Sequence, residues 1–433
     1  MFQNDDHLAR ATVMLALTTT EQLLHKIGNQ IQTAVEELEN YNNTINHLAS
    51  ANSAASLNVN PDGSPHTFRT AVHGAERDSW KNAEDIEISR LLDTTTMHAI
   101  HLEEQPLDRR SDTTYYNPKP KEKYDDDMNK VYRIRGTAGG DRINYDGPKK
   151  ANTAALSTVK LLLQSVVSGN ANFMTLDIKD FYLNTLLPRS EYLRIPLKFL
   201  SNTILEKYNL QKFIHNCSIL FEVTKSMYGL PHAGRISQDG LIERLASHGY
   251  MQTGTTCLCR HATNSVTFTL VVDDFGVKYM READAYDLIH CLQLYYEITI
   301  KKIPTKYLGL TIAVDKKARE VRMSAPGMIA KALKQFAPFS TAPFAVYVPP
   351  RFRSAAQKPA TPDISPLLTA DEHHRLQCLL AGVLLYYCLA IASTGLPAVT
   401  AIESALAHAT QLTQRAADRL LAYFRNYPDN ILV

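Results

Sequence analysis

Long apolar runs are absent from this chain of 433 residues: the longest, Leu379–Ile391, has 13, against the roughly 18–20 that a membrane-crossing helix needs. That run predicts a buried helix instead. Met1–Asp6 is polar and the apolar patch Val13–Leu17 is too short for a secretory signal. Cysteine is sparse, and six scattered residues suit reduced thiols in an intracellular protein rather than a disulfide framework. Neither sign of charge prevails at a formal net charge of +2, so any basic surface must be local. No segment repeats another. What is present is a globular composition, 45% hydrophobic and 21% charged, on a chain long enough for two or three packed units.

Residues 18–48 carry a helical period (Leu23, Ile27, Ile31, Val35, Leu38), and 49–64 is a Ser/Asn/Pro/Gly-rich linker. A helix is predicted at Trp80–Leu92. Leu107–Tyr124 is rich in Pro, Lys and Tyr and ends in Asp125–Asp127, which reads as a solvated loop. Strands are predicted at Val131–Arg135, Arg142–Tyr145, Phe173–Ile178, Phe268–Val272, Gly276–Tyr279, Lys306–Val314 and Val321–Met323. Helices are predicted at Ala154–Val167, Asp180–Leu187, Gly234–His248 and Ala283–Tyr296, and they dominate from Gly327 onward around a Pro-rich stretch, Pro343–Pro366. The β–α–β–β–α–β order is that of a split β-α-β unit. Cys257-Leu-Cys259-Arg-His261 invites a zinc reading, but the spacing is cramped and no second ligand pair follows, so a structural role is preferred.

The chemistry centres on Asp273 and Asp274, at the turn of the apolar hairpin Val266–Tyr279. Adjacent carboxylates beside strand residues are costly unless a cation or a proton compensates. Asp-Asp also occurs in ordinary hairpin turns, so a partner is needed. Asp177 supplies it, ending its own strand 96 residues earlier. Oxygen ligands on rigid strand ends suit Mg²⁺, and two metals about 3.5–4 Å apart would serve phosphoryl transfer by positioning and charge neutralisation.

Four ordered segments carry a resemblance. Thr175-Leu-Asp-Ile-Lys-Asp-Phe-Tyr-Leu-Asn184 resembles the first catalytic motif of copia-type retrotransposon reverse transcriptases. Lys225-Ser-Met-Tyr-Gly-Leu-Pro-His-Ala-Gly-Arg235 resembles their nucleotide-binding motif, Leu270–Gly276 their paired-aspartate motif, and Lys306-Tyr-Leu-Gly-Leu310 their primer-gripping turn. The likeness covers about Trp80 to Val433. It implies an α+β right-hand polymerase: fingers over 76–170, a split β-α-β palm over 171–310 with an interleaved finger segment at about 190–230, a thumb-like hairpin and helix over 311–360, and a helical connection over 361–433. Residues 1–75 form an upstream helical and linker segment. The ribonuclease H, protease and integrase motifs of the full polyprotein are not found, so the resemblance leads one to expect a fragment of it.

The resemblance also implies roles. Asp177, Asp273 and Asp274 match the metal-binding catalytic aspartates, Asp274 being the less direct ligand, with two Mg²⁺ per site and Mn²⁺ as the alternative. Arg133 and Arg135, on one strand face, match the basic finger strand that reaches the triphosphate; a solvated strand face is the rival reading. Asp180 flanks the incoming nucleotide, and Tyr182 crowds the sugar 2′-carbon, with core packing beside Phe181 as its rival. Gly229 permits close backbone approach. His232 stands where the family has Gln. Tyr307, Leu308 and Gly309 would hold the primer, and Lys331 and Lys334 would track the duplex. Lys301 or Lys302 is either a general acid for pyrophosphate or part of an exposed turn. Expected partners are a primed RNA or DNA template, deoxynucleotides and other proteins of the element, and no membrane. The rival function is a catalytically degenerate remnant that keeps only nucleic-acid binding or a structural role. A nuclease using the same carboxylates is a third class.

Overall fold

The computed structural model describes residues 67–124, 129–336, 363–428 and 430–433. The helix and linker predicted before residue 67, the Asp125–Asp127 run and most of the Pro-rich stretch fall outside these residues. The described chain opens with helices α1 (Phe68–Ala71) and α2 (Arg77–Asp93), then strands β1 (Met97–Ile100), β2 (Thr114–Tyr124) and β3 (Lys130–Ala138). Helix α3 (Leu156–Ser168) and β4 (Asn172–Ile178) follow, then β5 (Leu186–Pro196), α4 (Asn202–Lys207), β6 (Ile214–His215) and β7 (Ser218–Lys225). Next come α5 (Ala233–Ser247), β8 (Tyr250–Gln252), β9 (Leu258–His261), β10 (Thr267–Val271), β11 (Asp274–Tyr279), α6 (Glu282–Gln293) and β12 (Ile298–Lys301). A third group holds β13 (Lys306–Tyr307), β14 (Leu310–Asp315), β15 (Glu320–Ser324) and α7 (Met328–Phe336). The last group is α8 (Ala370–Leu379), a π-helical turn (Leu380–Leu384), α9 (Leu385–Ala390), α10 (Leu396–Ser404), α11 (Gln411–Asn426) and β16 (Ile431–Leu432).

The fold is mixed α+β, built on three sheets. The first runs β1-β7-β5-β2-β3 with β6 on β7, the central one β12-β4-β11-β10-β9-β8, and the third β13-β14-β15-β16. Apolar spacing explains the packing. Helix α3 buries Val159, Leu162, Leu163, Val166 and Val167, the i, i+3, i+4 stripe of a one-sided helix. That stripe joins Met174, Leu176, Phe275 and Val277 of the central sheet, the third sheet and Leu420, Leu421 and Phe424 of α11 in one continuous core. A second core, with Leu193, Ile195, Phe221 and Val223, lies under the first sheet. Tyr182 packs against both.

Three predicted elements are corrected. Asp180–Leu187 is not a helix: Asp180 adopts a left-handed conformation (φ 51°, ψ 39°), a single 3-10 turn covers Phe181–Asn184, and from Leu186 the chain pairs with β7. Arg142–Tyr145 is not a strand, because a 3-10 turn at Gly140–Arg142 turns the chain away and Tyr145 instead stacks its ring on His232. Lys306–Val314 is not one strand but two, folded back on each other at Leu308–Gly309. The segment read only as Pro- and Lys-rich holds β2, which pairs with β3 from Tyr116 to Tyr124 and with β5 only at Thr114 and Tyr115. Its outer stretch is therefore an edge, where Pro118 and Pro120 are tolerated.

Candidate active site

In β4, Phe173, Met174, Leu176 and Ile178 are buried, and Asp177 is the exposed position among them. Its antiparallel partner across the ladder is Asp274. Directly opposed residues put their side chains on one face, where like charges repel. Asp273 sits beside them in the two-residue turn Val272–Asp273 that closes the Val271–Asp274 pair. Val272 is held at φ 60°, a left-handed conformation that costs a β-branched residue about 1–3 kcal/mol. The Asp273 carbonyl accepts the Ile178 N–H at 3.1 Å, which fixes the turn to β4.

The electrostatics of this cluster is unfavourable as it stands. Burial raises the Asp274 carboxyl from its ordinary 3.8 to about 7, with Asp273 and Asp177 adding to the shift and Lys301 opposing it. Burial also raises Asp273; its own backbone N–H opposes this, Asp177 adds to it and Arg135 lowers it. Among the described residues no three or more His, Cys, Asp or Glu side chains are grouped so as to hold a metal ion by themselves. Mg²⁺ does not require such a group, since that ion keeps several waters and takes one or two carboxylates plus substrate oxygens. Asp177, Asp273 and Asp274 are the residues that could hold it.

The wall above the carboxylates is aromatic and basic. Tyr182 meets Tyr228 edge-on at 4.9 Å, and the Arg135 guanidinium lies 4.0 Å over the Tyr228 ring. Burial and the Asp273 charge raise the Tyr182 phenol, so it stays protonated. Beyond Arg135 and Tyr228 opens a cavity of about 1320 Å³, whose lining includes Arg69, Arg77, Lys81, Lys119, Lys121 and Lys198 with Phe68, Tyr115 and Phe199. The carboxylates lie outside that lining, and Arg135 stands between the two. Lys121 opposes Arg133 across the ladder and Arg135 lies two residues further along β3, so these three cations share one face of the β2–β3 hairpin; burial lowers the Lys121 ammonium, with Arg135 and Arg133 adding to the effect.

Asp180 is tied back into the protein. Its carboxylate accepts a bond from Arg90, whose Nε and Nη2 reach Glu87 at 2.9 and 2.7 Å. Glu87 Oε1 in turn accepts the Gly136 N–H at 2.7 Å, one residue beyond Arg135. Sequence reasoning missed Glu87 and Arg90: three residues apart on α2, they look like an ordinary surface pair.

Other expected residues lie elsewhere. His232 is fully buried, stacked on Tyr145 at 4.0 Å and 13°, and its Nε2 lies 3.6 Å from the buried Glu191 carboxylate. It does not reach the cleft surface. Gly229 lines the cavity, but its φ of +92° and the 2.0 Å that would separate a Cβ from the Ala138 carbonyl show that its close approach is to β3. Tyr307 is buried; its hydroxyl lies 3.1 Å from the Thr269 Oγ1 and its ring covers Gly276. Leu308 and Gly309, at φ 51° and 78°, form the turn that follows. Lys331 and Lys334 share the exposed face of α7, opposite Ile329 and Ala332. Lys302 bonds Glu282 and Tyr286 on the outer surface, whereas Lys301 is the lysine that acts on Asp274. Cys257 and Cys259 are buried thiols, and the His261 ring accepts from the backbone of Thr263 and Asn264.

No described helix is long and apolar enough to cross a membrane. No protein-family profile matches the chain, and neither does any curated protein. Among solved structures the chain is similar to a foamy viral protease-reverse transcriptase in complex with double-stranded DNA, with a TM-score of 0.41 and 9% identity over 80% of this chain. The match covers 48% of that chain, so this one spans about half its length.

Proposed function

We propose that this chain is an RNA-directed DNA polymerase of the copia-type retrotransposon class, adding deoxynucleotides to a primer 3′-OH on an RNA or DNA template. The observation that carries this is the meeting of Asp177, Asp273 and Asp274 at one sheet end, where burial and mutual repulsion raise Asp273 and Asp274. Such a site gains most from a divalent cation arriving with an anionic substrate. On this reading the first sheet with α2 is the fingers, the central sheet the palm, the third sheet with α7 the thumb, and α8–α11 the connection.

Asp177, Asp273 and Asp274 would hold two Mg²⁺, or Mn²⁺, which when bound neutralise the triphosphate and favour attack by the primer oxygen. Arg135, with Arg133 and Lys121 further along the hairpin, offers guanidinium and ammonium donors to phosphate oxygens. Tyr182, wedged against Tyr228, narrows the space beside the nucleotide sugar and disfavours a 2′-hydroxyl. The basic, aromatic-lined cavity suits template phosphates and unstacked bases, and the place of action is intracellular.

Primer extension with Mg²⁺ on a labelled primer–template tests this. Wild type should extend the primer, and Asp273→Asn should reduce extension by about a hundredfold or more while leaving duplex binding intact. Binding without extension by wild type would favour the degenerate remnant. Shortening of the primer would favour a nuclease.

A further inference from the structure

We infer that Tyr386, in the C-terminal helical unit, is a positioning residue for the Leu308–Gly309 turn, and through it for the primer end; this rests on the polymerase reading. The Tyr386 hydroxyl donates to the Leu308 carbonyl at 2.7 Å, across 78 residues of chain. Leu308 is a poor residue for its place. With Gly309 it makes a two-residue hairpin between paired Tyr307 and Leu310, and both turn residues have positive φ. Glycine adopts that conformation freely, whereas leucine does so only when its surroundings hold it there.

Two supports hold it. From below, Tyr307 fixes the base of the turn on the central sheet: its ring covers Gly276, two residues beyond Asp274, and its hydroxyl meets Thr269. From the side, Tyr386 holds the turn's own carbonyl. Tyr386 lies two residues beyond the end of the π-helical turn Leu380–Leu384, a local insertion that re-aims the side chains after it and recurs at functional sites.

The helix that carries Tyr386 is itself anchored by two sets of contacts. Lys160 of α3 donates to the Leu389 carbonyl at 2.7 Å. The Tyr387 hydroxyl donates to the Pro428 carbonyl and accepts from Asn430. Two residues on, Leu432 pairs with Met323, so that β16 extends the sheet to which the turn belongs. Turn, sheet, C-terminal strand and helix thus close a ring of contacts, with the Tyr386–Leu308 bond as its final link. Burial raises the phenol to about 12, so it remains a donor across the working pH range.

The test compares Tyr386→Phe with wild type and with Tyr423→Phe, which removes a phenol from α11 of the same unit. Steady-state extension at varied primer–template should show KM for the primer raised about three- to tenfold in Tyr386→Phe, the scale of one lost neutral hydrogen bond, with KM for the deoxynucleotide unchanged. Amide hydrogen exchange at residues 306–311 should quicken in the same variant, and Tyr423→Phe should match wild type in both readouts. An unchanged primer KM together with unchanged exchange overturns the inference. So does an equal effect of Tyr423→Phe, which would mark a general loosening of the helices. If wild type extends no primer, the polymerase reading fails on its own, while unchanged exchange in Tyr386→Phe would still separately refute the brace.

Discussion

Replacing Asp274 by Asn should make the metal-free protein more stable at alkaline pH. The carboxyl titrates at about 7 in the fold against an ordinary 3.8, because burial and two neighbouring carboxylates disfavour its charge. A folded-state value above the unfolded one means that the folded chain binds the proton more tightly. Stability therefore falls as pH rises from about 4 to about 7, and stays low above that. The gap of roughly three pH units, at about 1.4 kcal/mol each, sets this loss near 4 kcal/mol. Asparagine keeps the shape without the charge and should recover about 2–4 kcal/mol of it at pH 8. The assay is urea unfolding in EDTA at pH 8 and pH 5. The variant should be the more stable protein at pH 8, with the advantage shrinking sharply at pH 5. Adding Mg²⁺ should stabilise wild type more than the variant, since only wild type keeps the full carboxylate set. An Asn variant no more stable than wild type at pH 8, or an advantage that persists unchanged at pH 5, would refute the claim that burial and the neighbouring carboxylates disfavour the Asp274 charge in the folded state.

Two other changes probe the surroundings. Arg90→Ala strips the cation from between Asp180 and the buried Glu87 and should cost about 3 kcal/mol, the scale for one missing partner of a buried pair. Adding Glu87→Gln should recover much of that loss, as measured by a double-mutant cycle in urea; additive losses would deny the coupling. His232 is held down to about 4 by burial, with the Arg189, Arg109 and Lys149 charges adding to the effect, so the fold loses stability as pH falls from about 6.5 toward 4. His232→Phe should lose less over that interval, monitored by thermal melting, and parallel melting curves at both pH values would contradict the assignment.

The carboxylate site was legible because its signal is local. Two acids interrupting an apolar hairpin, and one acid ending an apolar strand, are unusual enough to stand out, and strand alternation sets which way they face. The structure adds that Asp177 and Asp274 are direct partners across the ladder, which spacing alone cannot give. Strand β2 was not legible. Pro118 and Pro120 signal a loop, and only the pairing to β3 along one side explains why they are tolerated. His232 was misplaced because its burial depends on Tyr145, an aromatic from a segment read as a strand. The Asp180–Arg90–Glu87–Gly136 chain was invisible for a related reason: it joins residues from three separate segments, and nothing in α2 marks its i, i+3 pair as different from any solvated one.

The two turns that flank this site share a construction. Each is a two-residue hairpin with a left-handed non-glycine residue at its first position, Val272 in one and Leu308 in the other. Such conformations persist only where the surroundings over-determine them. In both turns a donor from another segment does so by holding a turn carbonyl: the Ile178 N–H holds that of Asp273, and the Tyr386 hydroxyl that of Leu308. Glycine at either first position would relieve the strain and also loosen the turn. With a larger residue in each, the turns beside the carboxylates and at the proposed primer site depend on strands and helices far away in sequence, and the site is only as rigid as those distant donors make it.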